Sequence, residues 1–136
     1  MIILSVDLGK ARTGLAVCDK SMFLASPVCV LEEWNREKLV LKVAEKAIDL
    51  KAELIIVGLP KNMDGSEGES AKGAREFAAM LEKECELPVK MYDERCTTMI
   101  AHRYLNDVNV RGKKRKQTVD AAAAAIILQS YLESLK

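Results

Sequence analysis

Aromatic residues are scarce in this chain, at 4% of 136 positions, which argues against a surface that grips single strands by stacking on their bases. Histidine occurs once, as His102, and the four cysteines (Cys18, Cys29, Cys85, Cys96) contain no C-x-x-C pair. A zinc centre of the usual Cys/His kind is therefore not expected, and free, buried thiols are. No apolar run approaches the roughly 18–20 residues that a membrane span needs. The opening Met1-Ile2-Ile3-Leu4-Ser5-Val6-Asp7 lacks a basic flank and meets a charge too early for a signal peptide. The expected location is cytoplasmic, with no membrane partner. A Walker A loop is missing as well, because no G-K-[ST] occurs.

What is present is a globular balance: 49% apolar and 30% charged residues, in a length suited to one domain covering residues 1–136. The net charge of +1 hides an uneven layout. Residues 32–87 carry nine basic and thirteen acidic side chains, whereas 88–119 carry eight basic and three acidic ones. Five of those eight are Arg111, Lys113, Lys114, Arg115 and Lys116. A nearly neutral protein with one concentrated basic stretch can hold a polyanion locally, gripping backbone phosphates without reading sequence.

Hydrophobic periodicity gives the order of elements. Ile2 to Asp7, Gly14 to Cys18 and Ser26 to Leu31 read as three strands with short connections, an antiparallel meander, with Pro27 near the start of the third. Leu39, Val40, Val43, Ala44, Ala47 and Ile48 then recur at helical spacing. Leu54 to Val57 is a β-branched run buried on both faces, and 61–68 is a polar loop. Ala71, Ala74, Phe77, Ala78, Leu81 and Cys85 mark a second helix, stopped by Pro88, and Val89 to Tyr92 a fifth strand. A short helix opens at Thr97, residues 107–117 read as a basic loop, and Thr118 caps a last helix rich in Ala121–Ala125. The predicted fold is α/β, a mixed five-stranded central sheet of three antiparallel and then parallel strands, flanked by helices.

Three sets of carboxylates stand where these elements begin or end: Asp7, the pair Asp93 and Glu94, and Asp120. Loops converge at such points in α/β sheets. Acids meeting there suit Mg²⁺ or Mn²⁺, which take oxygen ligands and leave positions open for substrate phosphates. Singly, each acid reads sooner as an ion-pair partner or a cap than as a ligand, and it is their combined placement that points to a metal. The turn Asp7-x-Gly9-x-x-Arg12-x-Gly14 can expose N–H groups to a phosphate, with Arg12 as a bidentate grip. The loop Gly58-Leu59-Pro60-Lys61-Asn62-Met63-Asp64-Gly65-Ser66-Glu67-Gly68 is either a phosphate path or an ordinary connection. His102 reads as a solvated or packed residue, and Trp34 and Tyr92 are too isolated to form a stacking platform.

Asp7 to Gly14, Val57 to Gly65, Asp93-Glu94-Arg95-Cys96-Thr97 and Val119 to Ala124 together resemble the YqgF (RuvX) family, in the right order and over nearly the whole chain. Members are similar to the RuvC resolvases and have the ribonuclease H-like fold. They are described as Holliday junction resolvases and as nucleases maturing the 5′ end of pre-16S ribosomal RNA. The resemblance implies Asp7, Glu94 and Asp120 as catalytic metal ligands, with Asp93 the alternative to Glu94. It places Arg12, Lys61, Asn62, Arg95 and Thr97 at positions suited to phosphate contact. One departure stands out. Where many ribonuclease H-like enzymes carry a carboxylate at the end of the fourth strand, this chain has Gly58 and Leu59.

The leading expectation is thus a metal-dependent endonuclease acting on structured nucleic acid, RNA ahead of branched DNA, as a monomer or homodimer. A Holliday junction resolvase and a non-catalytic RNA-binding ribosome assembly factor are the alternatives. A nucleotide-phosphate role like that of actin-like ATPases ranks last, since such enzymes need two lobes.

Overall fold

The computed structural model describes residues 1–97 and 115–135, with side chains from residue 121 onward in the second segment. The strands are β1 (Ile3–Asp7), β2 (Arg12–Cys18), β3 (Ala25–Glu32), β4 (Leu54–Leu59) and β5 (Val89–Asp93). The helices are α1 (Arg36–Asp49), α2 (Glu69–Cys85) and α3 (Arg115–Ser134), and a 3-10 turn covers Glu94–Thr97. The five strands form one sheet in the order β3-β2-β1-β4-β5. β1, β2 and β3 pair antiparallel, and β4 and β5 continue the sheet parallel to β1. The expected mixed sheet is the observed one. β3 is an edge strand, where Pro27 costs no ladder bond, and the register slips by one residue opposite it, between Leu15 and Ala16.

Side-chain alternation sorts each strand between two layers. Leu4, Val6, Leu15, Ile55, Val57 and Leu59 enter one core with α1 and α2. Ile3, Ala16, Leu54 and Ile56 enter the other with Ala122, Ala124, Ala125, Ile127 and Leu128 of α3. β4, packed on both faces, is buried along its whole length. The alanines let α3 approach the sheet closely enough for the buried Ser5 hydroxyl to donate to the Ala124 carbonyl at 2.6 Å. By the same alternation Asp7, two residues beyond Ser5, lies on the α3 side, and so does Gly58, two beyond Ile56.

Local signals explain the helix ends. Asn35 caps α1 by accepting from the Lys38 amide at 3.0 Å, a contact worth about 1 kcal/mol. α2 ends with Glu86 in the left-handed region at φ 58°, and Pro88 prevents its continuation. Three expectations need correction. Ile48, assigned to the buried stripe of α1, is 69% exposed, because it lies one residue past the last core position, Ala47. Residues 115–117 are helical rather than loop, and Thr118 lies inside α3 rather than capping it. Arg, Lys and Gln are good helix formers and extend the helix toward its N-terminus. The thiols are free as expected but not all buried, since Cys96 is exposed. The helix expected to open at Thr97 lies outside the described residues apart from the 3-10 turn.

Candidate active site

Asp7 ends β1, and Glu94 is the first residue after β5. β4 runs between these strands, with Val6 level with Val57 and Gly58 level with Tyr92. The two carboxyl groups therefore face each other across β4 at Gly58, and they share a hydrogen bond. A Cβ on Gly58 would stand 2.7 Å from Glu94 Oε1 and 2.8 Å from Ile127 Cδ1, closer than atoms pack. The missing fourth-strand carboxylate thus has a structural counterpart. The glycine clears the space that the neighbouring strand's glutamate fills.

Partial burial and the Asp7 charge push Glu94 up to about 7. Like charges this close resist joint ionisation, so the pair holds a proton unless a cation replaces it. Two hard oxygen donors fit a divalent cation of the Mg²⁺ or Mn²⁺ type. Among the described residues, no group of three His, Cys, Asp or Glu side chains surrounds one metal position. Asp120 lies in α3 one turn ahead of Ala124, whose carbonyl is tied to Ser5. That puts its backbone in the helix covering the face from which Asp7 projects.

The remaining predicted residues that are described are largely paired within the protein. Asp93, the alternative to Glu94, accepts from Arg95, Nη2 at 2.6 Å and Nε at 3.0 Å. That contact with the guanidinium holds its carboxyl below the usual range. Lys61 lies 4.0 Å from Glu67, which Arg75 binds more tightly at 2.7 Å. Asn62 organises its own loop, its amide Nδ2 donating to Ser66 Oγ at 2.9 Å. Thr97 donates its hydroxyl to the Glu94 carbonyl at 2.7 Å, steadying the 3-10 turn that presents Glu94. Arg12 flanks the β1–β2 turn, 4.0 Å from Glu32. Arg115 and Lys116 stand in the first turn of α3, and Arg111, Lys113 and Lys114 lie outside the described residues.

Sequence reasoning missed a cleft of about 400 Å³ that reaches Glu94. Lys10, Arg36, Gly58 and Glu94 line it, with Glu69 and Ser70 of α2. Arg36 donates from Nη1 to the Gly9 carbonyl at 2.9 Å. Gly9 has to be small, since a Cβ there would strike the Arg12 carbonyl oxygen. In the sequence Arg36 is one more charge at a helix start; only the tertiary fold brings it to the Gly9 turn.

The mixed five-stranded sheet in the order β3-β2-β1-β4-β5, flanked by helices, is a ribonuclease H-like fold. The structure superposes on Thermus thermophilus RuvC in complex with a Holliday junction substrate, with a TM-score of 0.72, 15% identity and 99% and 95% of the two chains covered. It also superposes on the fowlpox virus Holliday junction resolvase, with a TM-score of 0.57, 18% identity and 98% and 99% covered. The model of the RuvX family, described as Holliday junction resolvase, matches residues 1–134, and the chain belongs to that family. Relatives named "Putative pre-16S rRNA nuclease" include one from Clostridium novyi, 38% identical with 99% of this chain and 100% of the relative covered. Another, from Geobacillus, is 42% identical with 98% and 99% covered.

Proposed function

We propose that the protein is a metal-dependent endonuclease that matures the 5′ end of pre-16S ribosomal RNA in the cytoplasm. The observation that carries this reading is the Asp7–Glu94 pair, fitted over Gly58 at the strand ends. Two carboxylates forced together against their own repulsion are held in the arrangement a divalent cation relieves. Asp7 and Glu94 would hold Mg²⁺ or Mn²⁺, and Asp120, from the helix over the same face, would be the third ligand. When bound, the ion supplies charge neutralisation at the phosphate and activation of water. The chain's own work is positioning. Thr97 and the 3-10 turn orient Glu94, and the Ser5–Ala124 bond sets α3 against β1. Arg12, Lys61, Asn62 and Arg95 would meet the backbone phosphates, and the basic residues of 111–116 would add positive charge for the same strand. Contacts of this type locate a strand without reading its sequence.

The test is cleavage of a pre-16S 5′ fragment in Mg²⁺ by wild-type protein and by Asp120→Asn. The reading expects loss of product with retained binding, and undiminished cleavage by the variant removes Asp120 from the site. Resolution of a Holliday junction, supported by the family's description, is the second reading. Two symmetric cuts require a two-fold dimer, so a protein that stays monomeric on a four-way junction decides against it.

A further inference from the structure

The cleft that reaches Glu94 extends the proposed reading, on which this inference rests. Its volume of about 400 Å³ is at the small end of the roughly 300–1,000 Å³ typical of ligand pockets. That is room for a single nucleotide and too little for a stacked base pair. Among the described residues no aromatic side chain lines it, so these walls offer a base no stacking partner. Its polar walls are cationic on the β1–β2 side, with Lys10 and Arg36, and acidic at Glu94 and Glu69. Glu94 belongs to the metal site, and Glu69 is exposed in the first turn of α2. Arg36 uses one N–H on the Gly9 carbonyl, at 2.9 Å. That bond fixes the guanidinium against the turn following Asp7, and its other four N–H groups make no further bond among the described residues.

We propose that this cleft is the subsite for one unpaired nucleotide next to the scissile phosphate, with Arg36 and Lys10 gripping its phosphate. A planar guanidinium pinned at one corner loses little freedom on binding and presents a ready fork to phosphate oxygens. The substrate class that follows is a strand that is single-stranded at the cut, such as the unpaired flank of a folded RNA, with the walls indifferent to base identity.

The experiment compares two RNAs of the same sequence, one with the cleavage site in a single-stranded flank and one with that site closed by a complementary strand. Wild-type protein is expected to favour the open substrate by at least about tenfold in kcat/KM. Arg36→Ala is expected to raise KM on the open substrate about tenfold, the order of one charge-assisted hydrogen bond, with the loss in KM rather than kcat. Arg36→Lys, which keeps charge but not the fork, should recover only part of it. Equal cleavage of both substrates, or an unchanged KM in Arg36→Ala and Lys10→Ala, overturns the subsite. If the wild type cleaves neither RNA, the nuclease reading fails separately. The subsite is then judged on binding of a five-nucleotide single-stranded RNA by anisotropy, where it requires at least fivefold weaker binding by Arg36→Ala.

Discussion

Replacing Glu94 by glutamine keeps the shape of the side chain and removes its charge, which isolates the repulsion within the carboxylate pair. In the wild type, burial and the adjacent Asp7 push Glu94 up to about 7, whereas an unfolded glutamate titrates near 4.3. Between those pH values the folded chain holds a proton that the unfolded chain has released. Folded stability from this group is therefore fully present below about pH 4.3 and is lost as pH rises through about 7. At 1.36 kcal/mol per pH unit the loss has a ceiling of about 4 kcal/mol. Glu94 is only half-buried, and screening by water brings it to about 1–2 kcal/mol. Urea unfolding in chelator-containing buffer at pH 5 and pH 8 measures it. Metal-free wild type should lose about 1–2 kcal/mol more than Glu94→Gln between the two pH values, equivalent to about 4–8 °C in Tm for a domain of this size. Adding Mg²⁺ at pH 8 should restore wild type but not the variant, because an ion that binds only the folded state stabilises it. A stability difference between the two proteins that is the same at both pH values refutes the reasoning.

Other consequences follow from single contacts. Gly58→Ala places a methyl 2.7 Å from Glu94 Oε1 and 2.8 Å from Ile127 Cδ1, so about 1–3 kcal/mol of stability and most Mn²⁺ affinity should be lost, as read by unfolding and by calorimetric titration. Ser5→Ala removes a buried 2.6 Å bond to α3 and should cost about 1 kcal/mol in urea unfolding. Thr13 Oγ1 is buried with no hydrogen-bond partner among the described residues, so the nearly isosteric Thr13→Val should be neutral or stabilising by about 1 kcal/mol in the same assay. Asp93→Asn should change stability by less than about 1 kcal/mol, since the pair with Arg95 is largely solvated. By releasing Arg95 it should also tighten RNA binding, read by anisotropy.

Much of this architecture was legible in the residues because burial imposes periods. Leu54 to Val57 could only be a strand packed on both sides, and Ala71, Ala74, Phe77, Ala78 and Leu81 keep one face of α2. Where a period runs out, so does the signal. Ile48 fits the α1 spacing yet falls past its last core position, and the good helix formers 115–117 carry α3 beyond the polar cap expected at Thr118. The site was half legible. Asp7 and Glu94 stand at strand ends, but favouring Glu94 over Asp93 draws on the local pairing of Asp93 with Arg95, two residues on, and on the tertiary bond of Glu94 to Asp7. Gly58 reads in sequence as the end of a strand, and its role as the clearing for a neighbour's carboxylate requires the register of β4 against β5. Arg36 carried no local mark, since its bond to Gly9 spans 27 residues.

The central claim, that Asp7 and Glu94 with Asp120 form the metal-dependent centre of a ribonuclease, is tested most directly by one cleavage assay. Wild type and Asp7→Asn, purified identically, are incubated with a pre-16S 5′ precursor fragment in Mg²⁺, in Mn²⁺ and in EDTA, with a four-way DNA junction alongside. The account predicts precursor cleavage by wild type in either metal, none in EDTA, and a loss of at least about a hundredfold in Asp7→Asn with its fold and RNA binding retained. Cleavage by Asp7→Asn at the wild-type rate, or by wild type in EDTA, contradicts it.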